Sequence, residues 1–210
     1  MNLLELDFIF QFLNLSETVF LLFRHGHRDA FAENELGMTV TLNEEGQSKA
    51  SLLGHHLKNF DITKIYTSPV LRCVQTAEKI QKSTNAPIVT SHLLGNPGCY
   101  VKSPKRCGSM FLEKGVEKIT EMLIRSEKIP GFYSLNEGSE KLMNFLKNQK
   151  KGRYVLVTHD SILDPFVSWL VGSNEIFKFG FLEGILISLH KDHYHIICKY
   201  QQYEVIHALA

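Results

Sequence analysis

Three short segments of this chain carry residues that suit phosphoryl chemistry. Arg24 and His25 follow the apolar run 19–23 and precede a glycine. A guanidinium offers phosphate oxygens a planar fork of donors, and a neutral imidazole can attack phosphorus and form a covalent intermediate. This tripeptide alone should occur by chance in many proteins. It gains weight from two other segments, residues 68–72 (Ser-Pro-Val-Leu-Arg) and 157–160 (Val-Thr-His-Asp).

Alternating strand and helix patterns separate these segments. Apolar and β-branched runs predict strands at 19–23, 62–66, 87–90 and 154–158. Asn43 before two glutamates predicts a helix to about residue 59. Ser68-Pro69 predicts a second helix start, with serine as the cap, and Asp164-Pro165 predicts a third helix that Gly172 ends. Residues 184–190 and 195–200 predict two late strands, paired around Lys191-Asp192. Phe177, Phe179 and Phe181 alternate as in a strand of the core.

This order of elements predicts an α/β fold, a three-layer, largely parallel sheet with helices on both faces. In such sheets, ligands bind beyond the carboxyl ends of the strands. Arg24-His25, Ser68 and His159-Asp160 each follow a predicted strand. We therefore expect them to meet at one edge of the sheet.

Length and charge limit the class of protein. The 210 residues predict a single domain over 1–210, with an apolar N-terminal segment at 1–17 and a cap or insertion region at about 92–140. Residues 3–12 should pack on the domain rather than form an exposed docking patch for a partner. A net charge of +1 gives no reason to expect nucleic acid as a partner. Without a signal-peptide pattern or an apolar stretch long enough to span a membrane, the expected location is cytoplasmic. The oligomeric state is left open.

The four cysteines fit no zinc-binding spacing. Buried free thiols are expected, with a disulfide between Cys99 and Cys107 as the alternative. A metal site built on His25, His27, His159 and Asp160 is disfavoured, because the neighbouring arginines would repel a divalent cation. Neither a metal nor another cofactor is expected.

Four segments together resemble the histidine phosphatase superfamily, which has the phosphoglycerate mutase-like fold. Residues 24–26 (Arg-His-Gly) resemble its signature, and residues 68–77 resemble its Ser-Pro-Leu-x-Arg-x-x-Gln-Thr-Ala segment. Residues 157–160 resemble the segment that carries its second histidine, and residues 42–46 (Leu-Asn-Glu-Glu-Gly) resemble its Leu-Thr-x-x-Gly helix start. The matches follow the family order over about residues 19–172.

The resemblance implies a metal-independent phosphomonoester hydrolase with His25 as the nucleophile of a phosphohistidine mechanism. Arg24, Arg72 and His159 would hold the phosphoryl oxygens. Arg28 completes Arg-His-Gly-x-Arg, which resembles the acid phosphatase branch, where the second arginine also binds phosphate. The chain thus mixes patterns of the mutase and acid phosphatase branches.

The leaving oxygen must receive a proton, and its donor is harder to assign. The mutase branch uses a glutamate after the third strand, but no Asp or Glu occurs from Lys79 through Leu112. Asp160 follows His159, and this pair resembles the phytase branch, where the aspartate is the acid. Asp160 is therefore the expected general acid. Asp29 is the runner-up, and Glu33 and Glu35 are less favoured.

The same acid-free stretch bears on the substrate. It contains five basic residues: Lys79, Lys82, Lys102, Lys105 and Arg106. They would attract a small phosphorylated substrate with further anionic groups, unless they form only a solvated basic loop. The missing glutamate leaves open a catalytically weak or inactive module that binds a phospho-ligand or a protein. A phosphomutase is a further alternative, and a phosphatase is the favoured reading.

Overall fold

The computed structural model describes residues 9–12, 16–33, 35–190 and 193–204. These residues form one seven-stranded sheet with the order β3-β2-β4-β1-β5-β6-β7. Its strands are β1 (Thr18–Arg24), β2 (Ile62–Thr67), β3 (Ile88–Thr90), β4 (Gly152–Thr158), β5 (Gly184–His190), β6 (His193–Cys198) and β7 (Gln201–Glu204). The pairings from β3 through β1 are parallel, and those from β1 through β7 are antiparallel. The predicted α/β fold is confirmed.

Helices cover both faces of this sheet, because successive side chains of a strand point to opposite sides. In β1, Val19 and Leu21 pack with the cluster under the first two helices, whereas Phe20 and Leu22 pack with the cluster under the other four. The helices are α1 (Glu44–Leu57), α2 (Leu71–Thr84), α3 (Pro104–Lys114), α4 (Val116–Ile124), α5 (Leu135–Lys147) and α6 (Asp160–Val171).

The register of the strands places the three segments with residues suited to phosphoryl chemistry at one edge of the sheet. Arg24 lies opposite Thr158 in the β1–β4 pair, and Thr67 lies opposite Val157 in the β2–β4 pair. The backbone N–H of His25 donates to the carbonyl of Thr158 over 2.9 Å. His25, Ser68 and His159 therefore leave their strands at the same level, as the strand order predicted.

Two predicted helix starts are wrong. Helix α2 begins at Leu71 rather than at Ser68-Pro69, because Val70 is still extended with ψ 132°. The Ser68 hydroxyl caps no helix, and its oxygen lies 2.9 Å from Nε2 of His159. Helix α6 begins at Asp160, so Pro165 lies inside it. Ile162 and Leu163 are buried and extend the apolar side of this helix toward β4, a pattern that outweighs the Asp-Pro signal.

The predictions for the late strands, the three phenylalanines and the cysteines have different outcomes. The predicted pairing of the late strands is confirmed, although residues 191–192 lie outside the described residues and β7 was not predicted. Phe177, Phe179 and Phe181 do not form a strand, although Phe179 is buried in the core. Cys99 and Cys107 are buried free thiols, so the alternative disulfide does not form.

The N-terminal segment can be judged only in part. Ile9 is buried, and Phe10 and Phe12 pack against the same cluster as β1, in line with burial on the domain. Residues 1–8 and 13–15 of this expectation lie outside the described residues. Within the described ranges, no helix has both the length and the apolar character to cross a membrane.

Candidate active site

His25 is buried, and its two hydrogen bonds define its protonation state. Nδ1 lies 2.9 Å from the carbonyl oxygen of Gly26, which can only accept a hydrogen bond. Nε2 lies 2.8 Å from Nε of Arg72, which can only donate one. The proton is therefore on Nδ1, and Nε2 carries a lone pair. His25 is a neutral imidazole whose unprotonated nitrogen faces the other candidate residues.

Arg72 connects the three segments through its guanidinium group. It lies in the first turn of α2 and is buried. Besides the bond to His25, its Nη1 donates to the carbonyl of Gly37 over 2.6 Å. Its Nη2 lies 3.1 Å from Nδ1 of His159. Arg72 is thus held in place on three sides next to the unprotonated nitrogen of His25.

His159 is also neutral, with the opposite tautomer. Because Arg72 can only donate to Nδ1, the proton of His159 is on Nε2 and faces the Ser68 hydroxyl. Gly95 makes this packing possible. A Cβ at Gly95 would lie 2.5 Å from the Ser68 oxygen and 2.6 Å from the His159 ring, and the φ of 146° also favours glycine. The loop without a carboxylate therefore packs directly against the second histidine.

Arg24 is oriented by a carboxylate and a carbonyl. Its Nη2 forms a 2.7 Å ion pair with Asp160, and its Nη1 donates to the carbonyl of Phe179 over 2.8 Å. The N–H of Phe179 in turn donates to Asp164, whose pKa burial raises to about 7. Sequence reasoning missed Asp164, since it was assigned only to a helix start. It fixes the loop that holds Arg24.

Arg28 lies at the edge of the same site. Its guanidinium carbon lies 3.5 Å from the centre of the Phe31 ring, and its Nη1 donates to the carbonyl of Asp29 over 2.7 Å. Burial, followed by the charges of Arg72 and Arg24, lowers the pKa of Arg28 to about 10. Three guanidinium groups therefore concentrate positive charge around His25.

The same environment keeps both histidines neutral. Burial lowers the pKa of His25 well below its usual 6.5, and electrostatic interactions with His159 and Arg72 lower it further. Burial, with Arg72 as the next cause, lowers the pKa of His159 to about 3. Histidine attacks phosphorus only in its neutral form, so this site is prepared for nucleophilic chemistry well below neutral pH.

The four candidate general acids differ in whether they line the cavity. Asp160 and Glu35 line a cavity of about 590 Å³ together with His25 and Arg72. Asp29 and Glu33 do not line it, and the Asp29 carboxylate accepts a hydrogen bond from Asn43 instead. Asp160 thus keeps its place as the first candidate, whereas Glu35 is better placed than the sequence suggested.

The basic stretch does not reach the site. None of its five members is among the described residues that line the cavity: Lys79, Lys82, Lys102, Lys105 and Arg106. Lys79, for example, donates to Gln47 over 3.0 Å and so links the first two helices. The structure favours the alternative of a solvated basic surface. Across the described chain, no cluster of three or more His, Cys, Asp or Glu side chains could hold a metal ion.

Comparisons with known proteins agree with this geometry. The family model of the histidine phosphatase superfamily (branch 1) matches residues 20–97, which include His25, Ser68 and Arg72. The fold resembles that of YhfR from Bacillus stearothermophilus, with a TM-score of 0.64 and 16% identity over 88% of this chain and 97% of that chain. Residues 20–97 thus match the histidine phosphatase superfamily in sequence, and the chain as a whole resembles these structures in fold.

Two other similar proteins are informative, one by its fold and one by its sequence. A mycobacterial glucosyl-3-phosphoglycerate phosphatase has a TM-score of 0.59 and 14% identity over 82% of this chain and 91% of that chain. The 2,3-bisphosphoglycerate-dependent phosphoglycerate mutase of Thermoplasma acidophilum is 35% identical over 77 residues. That match covers 35% of this chain and only 38% of the mutase.

Sequence reasoning missed several residues that position the site. Thr76 accepts a hydrogen bond from the N–H of Gly26 over 3.0 Å, and Gln75 accepts one from Leu42 over 2.8 Å. Both belong to the segment matched at 68–77, which was the signal that could have found them. The Phe181 ring lies 4.4 Å from the Arg24 guanidinium carbon. No pattern in the sequence indicated that contact.

The protonation states lead to a first prediction. In the free protein, the ring signals of His25 and His159 should keep the shifts of neutral imidazole from pH 8 down to pH 5.5, because both pKa values are lowered. Nitrogen-15 NMR of the imidazoles, assigned with His25→Ala and His159→Ala, measures this directly. A titration midpoint near 6.5 for either ring would contradict the described packing.

Proposed function

We propose that this protein hydrolyses phosphomonoesters through a covalent phosphohistidine at His25, without a metal ion. The observation that carries the proposal is the unprotonated Nε2 of His25, held 2.8 Å from the Arg72 guanidinium. A nitrogen that carries a lone pair next to fixed positive charge is what attack on a phosphoryl group requires. A cytoplasmic location stays a prediction from the sequence.

The arginines support binding of the transferred group. The Nε atoms of Arg24 and Arg28 are buried, and neither has a hydrogen-bond partner among the described residues. Buried donors normally have acceptors, and phosphoryl oxygens would supply them. We propose that Arg24, Arg28 and Arg72 hold these oxygens. A phosphate dianion would also raise the pKa of His159, so that His159 can act as a further donor.

In the first step, the lone pair of His25 Nε2 forms the N–P bond as the ester P–O bond breaks. Positive charge develops on the imidazole, and the Gly26 carbonyl that accepts from Nδ1 stabilises it. The leaving oxygen takes the bonding electrons and a proton from Asp160, which is ionised in its pair with Arg24 and takes up that proton from solvent or from a substrate monoanion when the substrate binds. Asp160 must leave Arg24 to do so, and a phosphoryl group on Arg24 offers that guanidinium a replacement partner.

In the second step, water attacks phosphorus and returns the bonding electrons of the N–P bond to Nε2. The proton of the water passes to the Asp160 carboxylate, and inorganic phosphate leaves. As phosphate leaves, Asp160 gives this proton to the product or to solvent and pairs with Arg24 again, which restores the resting site. Asp160 thus serves as acid and then as base, as microscopic reversibility requires.

Two other functions follow from specific observations. A phosphomutase is suggested by the curated mutase that matches over 77 residues, and it would require the phosphohistidine to persist until a second substrate binds. The second alternative is a module that binds a phospho-ligand or a protein without catalysis. It is suggested by the loop in which the mutase branch carries its glutamate, because this loop has Gly95 against His159 and no carboxylate. Phosphatase activity is the stronger proposal, because Asp160 provides a carboxyl group in the cavity.

The direct test is hydrolysis of p-nitrophenyl phosphate between pH 4.5 and 8 in the presence of a chelator. We expect turnover that chelation does not change and that vanadate inhibits. Vanadate binding to a folded protein without turnover would support the binding module. Transfer of the phosphoryl group to an added alcohol in preference to water would support the mutase.

Asp160→Asn should slow the enzyme according to its leaving group. With ethyl phosphate, whose alkoxide needs a proton, we expect kcat/KM, which reports the first step, to fall by about 10²- to 10³-fold. With p-nitrophenyl phosphate, whose phenolate leaves without one, the fall should be less than about tenfold. Steady-state rates with the two substrates give this ratio. Glu35→Gln and Asp29→Asn are the matched controls, and a leaving-group-dependent loss in Glu35→Gln instead would move the acid to Glu35.

A further inference from the structure

The cavity extends well beyond the groups that would hold a phosphate. Its volume is about 590 Å³. A phosphate has five heavy atoms, which occupy roughly 150 Å³ if each takes up about as much space as a water molecule. Most of the cavity therefore remains for the alcohol part of the ester. The class of substrate depends on the chemistry of this remaining space.

The walls of that space are largely apolar. Helices α3 and α4 and the neighbouring loops contribute them, through Leu36, Met38, Val101, Phe111, Leu112 and Val116. Of the described residues that line the cavity, the charged ones besides Glu35 are Arg24, Arg28, Arg72 and Asp160. All four belong to the proposed phosphate site. The carboxylate of Glu35 would repel a second anionic group on the substrate.

Exposed apolar side chains are concentrated at this cavity. Four large apolar residues that line it are well exposed, at 40% for Leu36, 41% for Met38, 47% for Leu112 and 36% for Val116. They come from two separate stretches of chain that face the same cavity. Exposed apolar residues scattered singly need no explanation, but a group of them around one cavity marks a ligand-binding surface.

We infer that this site accepts phosphomonoesters of apolar alcohols, either aromatic or aliphatic, that carry no second anionic group. This inference rests on the proposed phosphatase function and adds its substrate class. The phosphoryl group binds at His25 and the arginines, and the hydrocarbon part covers the apolar wall formed by α3 and α4. Substrates such as phosphorylated sugar acids, with a carboxylate beyond the ester, fit this wall poorly.

Binding of non-hydrolysable phosphonates tests the inference without relying on turnover. Calorimetry would give Kd for ethyl-, butyl-, hexyl- and octylphosphonate and for 6-phosphonohexanoate, which is hexylphosphonate with a terminal carboxylate. We expect Kd to fall by about twofold to fourfold per added methylene, and the terminal carboxylate to weaken binding at least about tenfold. An unchanged Kd along the series, or tighter binding of the carboxylate, would overturn the inference.

A pair of helical leucines provides a matched control. Leu112 in α3 lines the cavity, whereas Leu52 in α1 does not, and both are exposed, at 47% and 41%. Leu112→Gln should weaken octylphosphonate about fivefold or more and leave ethylphosphonate within twofold. Leu52→Gln should change neither. Equal effects of the two substitutions would overturn the placement of the alcohol on this wall.

Hydrolysis of the corresponding alkyl phosphates separates the two proposals. A chain-length trend in Kd together with hydrolysis supports both. The same trend without hydrolysis counts against the phosphatase function and leaves the ligand class standing. Hydrolysis with no chain-length trend counts against the ligand class alone.

Discussion

His25→Ala should lower kcat for p-nitrophenyl phosphate by at least about 10⁴-fold, equivalent to about 5.5 kcal/mol of activation free energy. Alanine removes the nitrogen that forms the N–P bond, so the covalent route is lost entirely. The arginines have no lone pair to donate, and the Asp160 carboxylate is held by Arg24. Steady-state rates under saturating substrate measure the loss.

His55→Ala is the matched control, because His55 is an exposed residue of α1 away from the cavity. It should retain wild-type kcat. Thermal unfolding of both variants confirms that the comparison is between folded proteins. Retention of more than about 1% of the activity by folded His25→Ala would show that His25 is not the nucleophile.

Arg72→Lys should lower kcat/KM by about 10³-fold, although it keeps the positive charge. Lysine has one ammonium group where arginine has a planar fork, so it cannot contact His25, Gly37 and His159 together. Loss of a single fixed donor to transition-state charge costs about 10²- to 10³-fold. Misplacement of His25 and His159 in the variant should lower kcat/KM further. Rates and vanadate affinity should fall together.

Arg125→Lys is a suitable control, since Arg125 is exposed after α4 and does not line the cavity. It should leave both quantities unchanged. Arg72 is buried, so a thermal unfolding curve must accompany its variant. A folded Arg72→Lys with kcat/KM within tenfold of wild type would contradict the central position assigned to Arg72.

The fold could be predicted from the sequence because strand and helix patterns alternate without ambiguity. The buried run in β1 and the Asn43 cap of α1 are local signals, and both lie where they were expected. The starts of α2 and α6 were predicted wrongly, because tertiary contacts there outweigh the local preference of Ser-Pro and Asp-Pro for a helix start. The Ser68 hydroxyl faces His159 instead of capping a helix, and the chain leaves β4 directly into α6 at Asp160.

The candidate site could be predicted as a set of residues but not as a set of contacts. Parallel strands end at one edge, which is why His25, Ser68 and His159 were expected to meet. The tautomers depend on atomic distances that no sequence pattern encodes. Asp164 accepts a hydrogen bond from the N–H of Phe179, and the Phe181 ring lies against Arg24. Both contacts depend on the path of the loop that contains Phe179 and Phe181. The basic stretch lies outside the cavity, which agrees with the solvated basic loop that the sequence analysis allowed.

The most direct test of the central claim is to trap the phosphoryl-enzyme. Rapid acid-free quenching of the protein with a labelled aryl phosphate, followed by peptide mapping, would locate the bound phosphoryl group. We predict a phosphoryl group on His25 that is stable in alkali and labile in acid, is absent from His25→Ala and accumulates in Asp160→Asn if water attack becomes limiting. A phosphoryl group on another residue, or turnover with no phosphoryl-enzyme at times shorter than one cycle, would contradict the account.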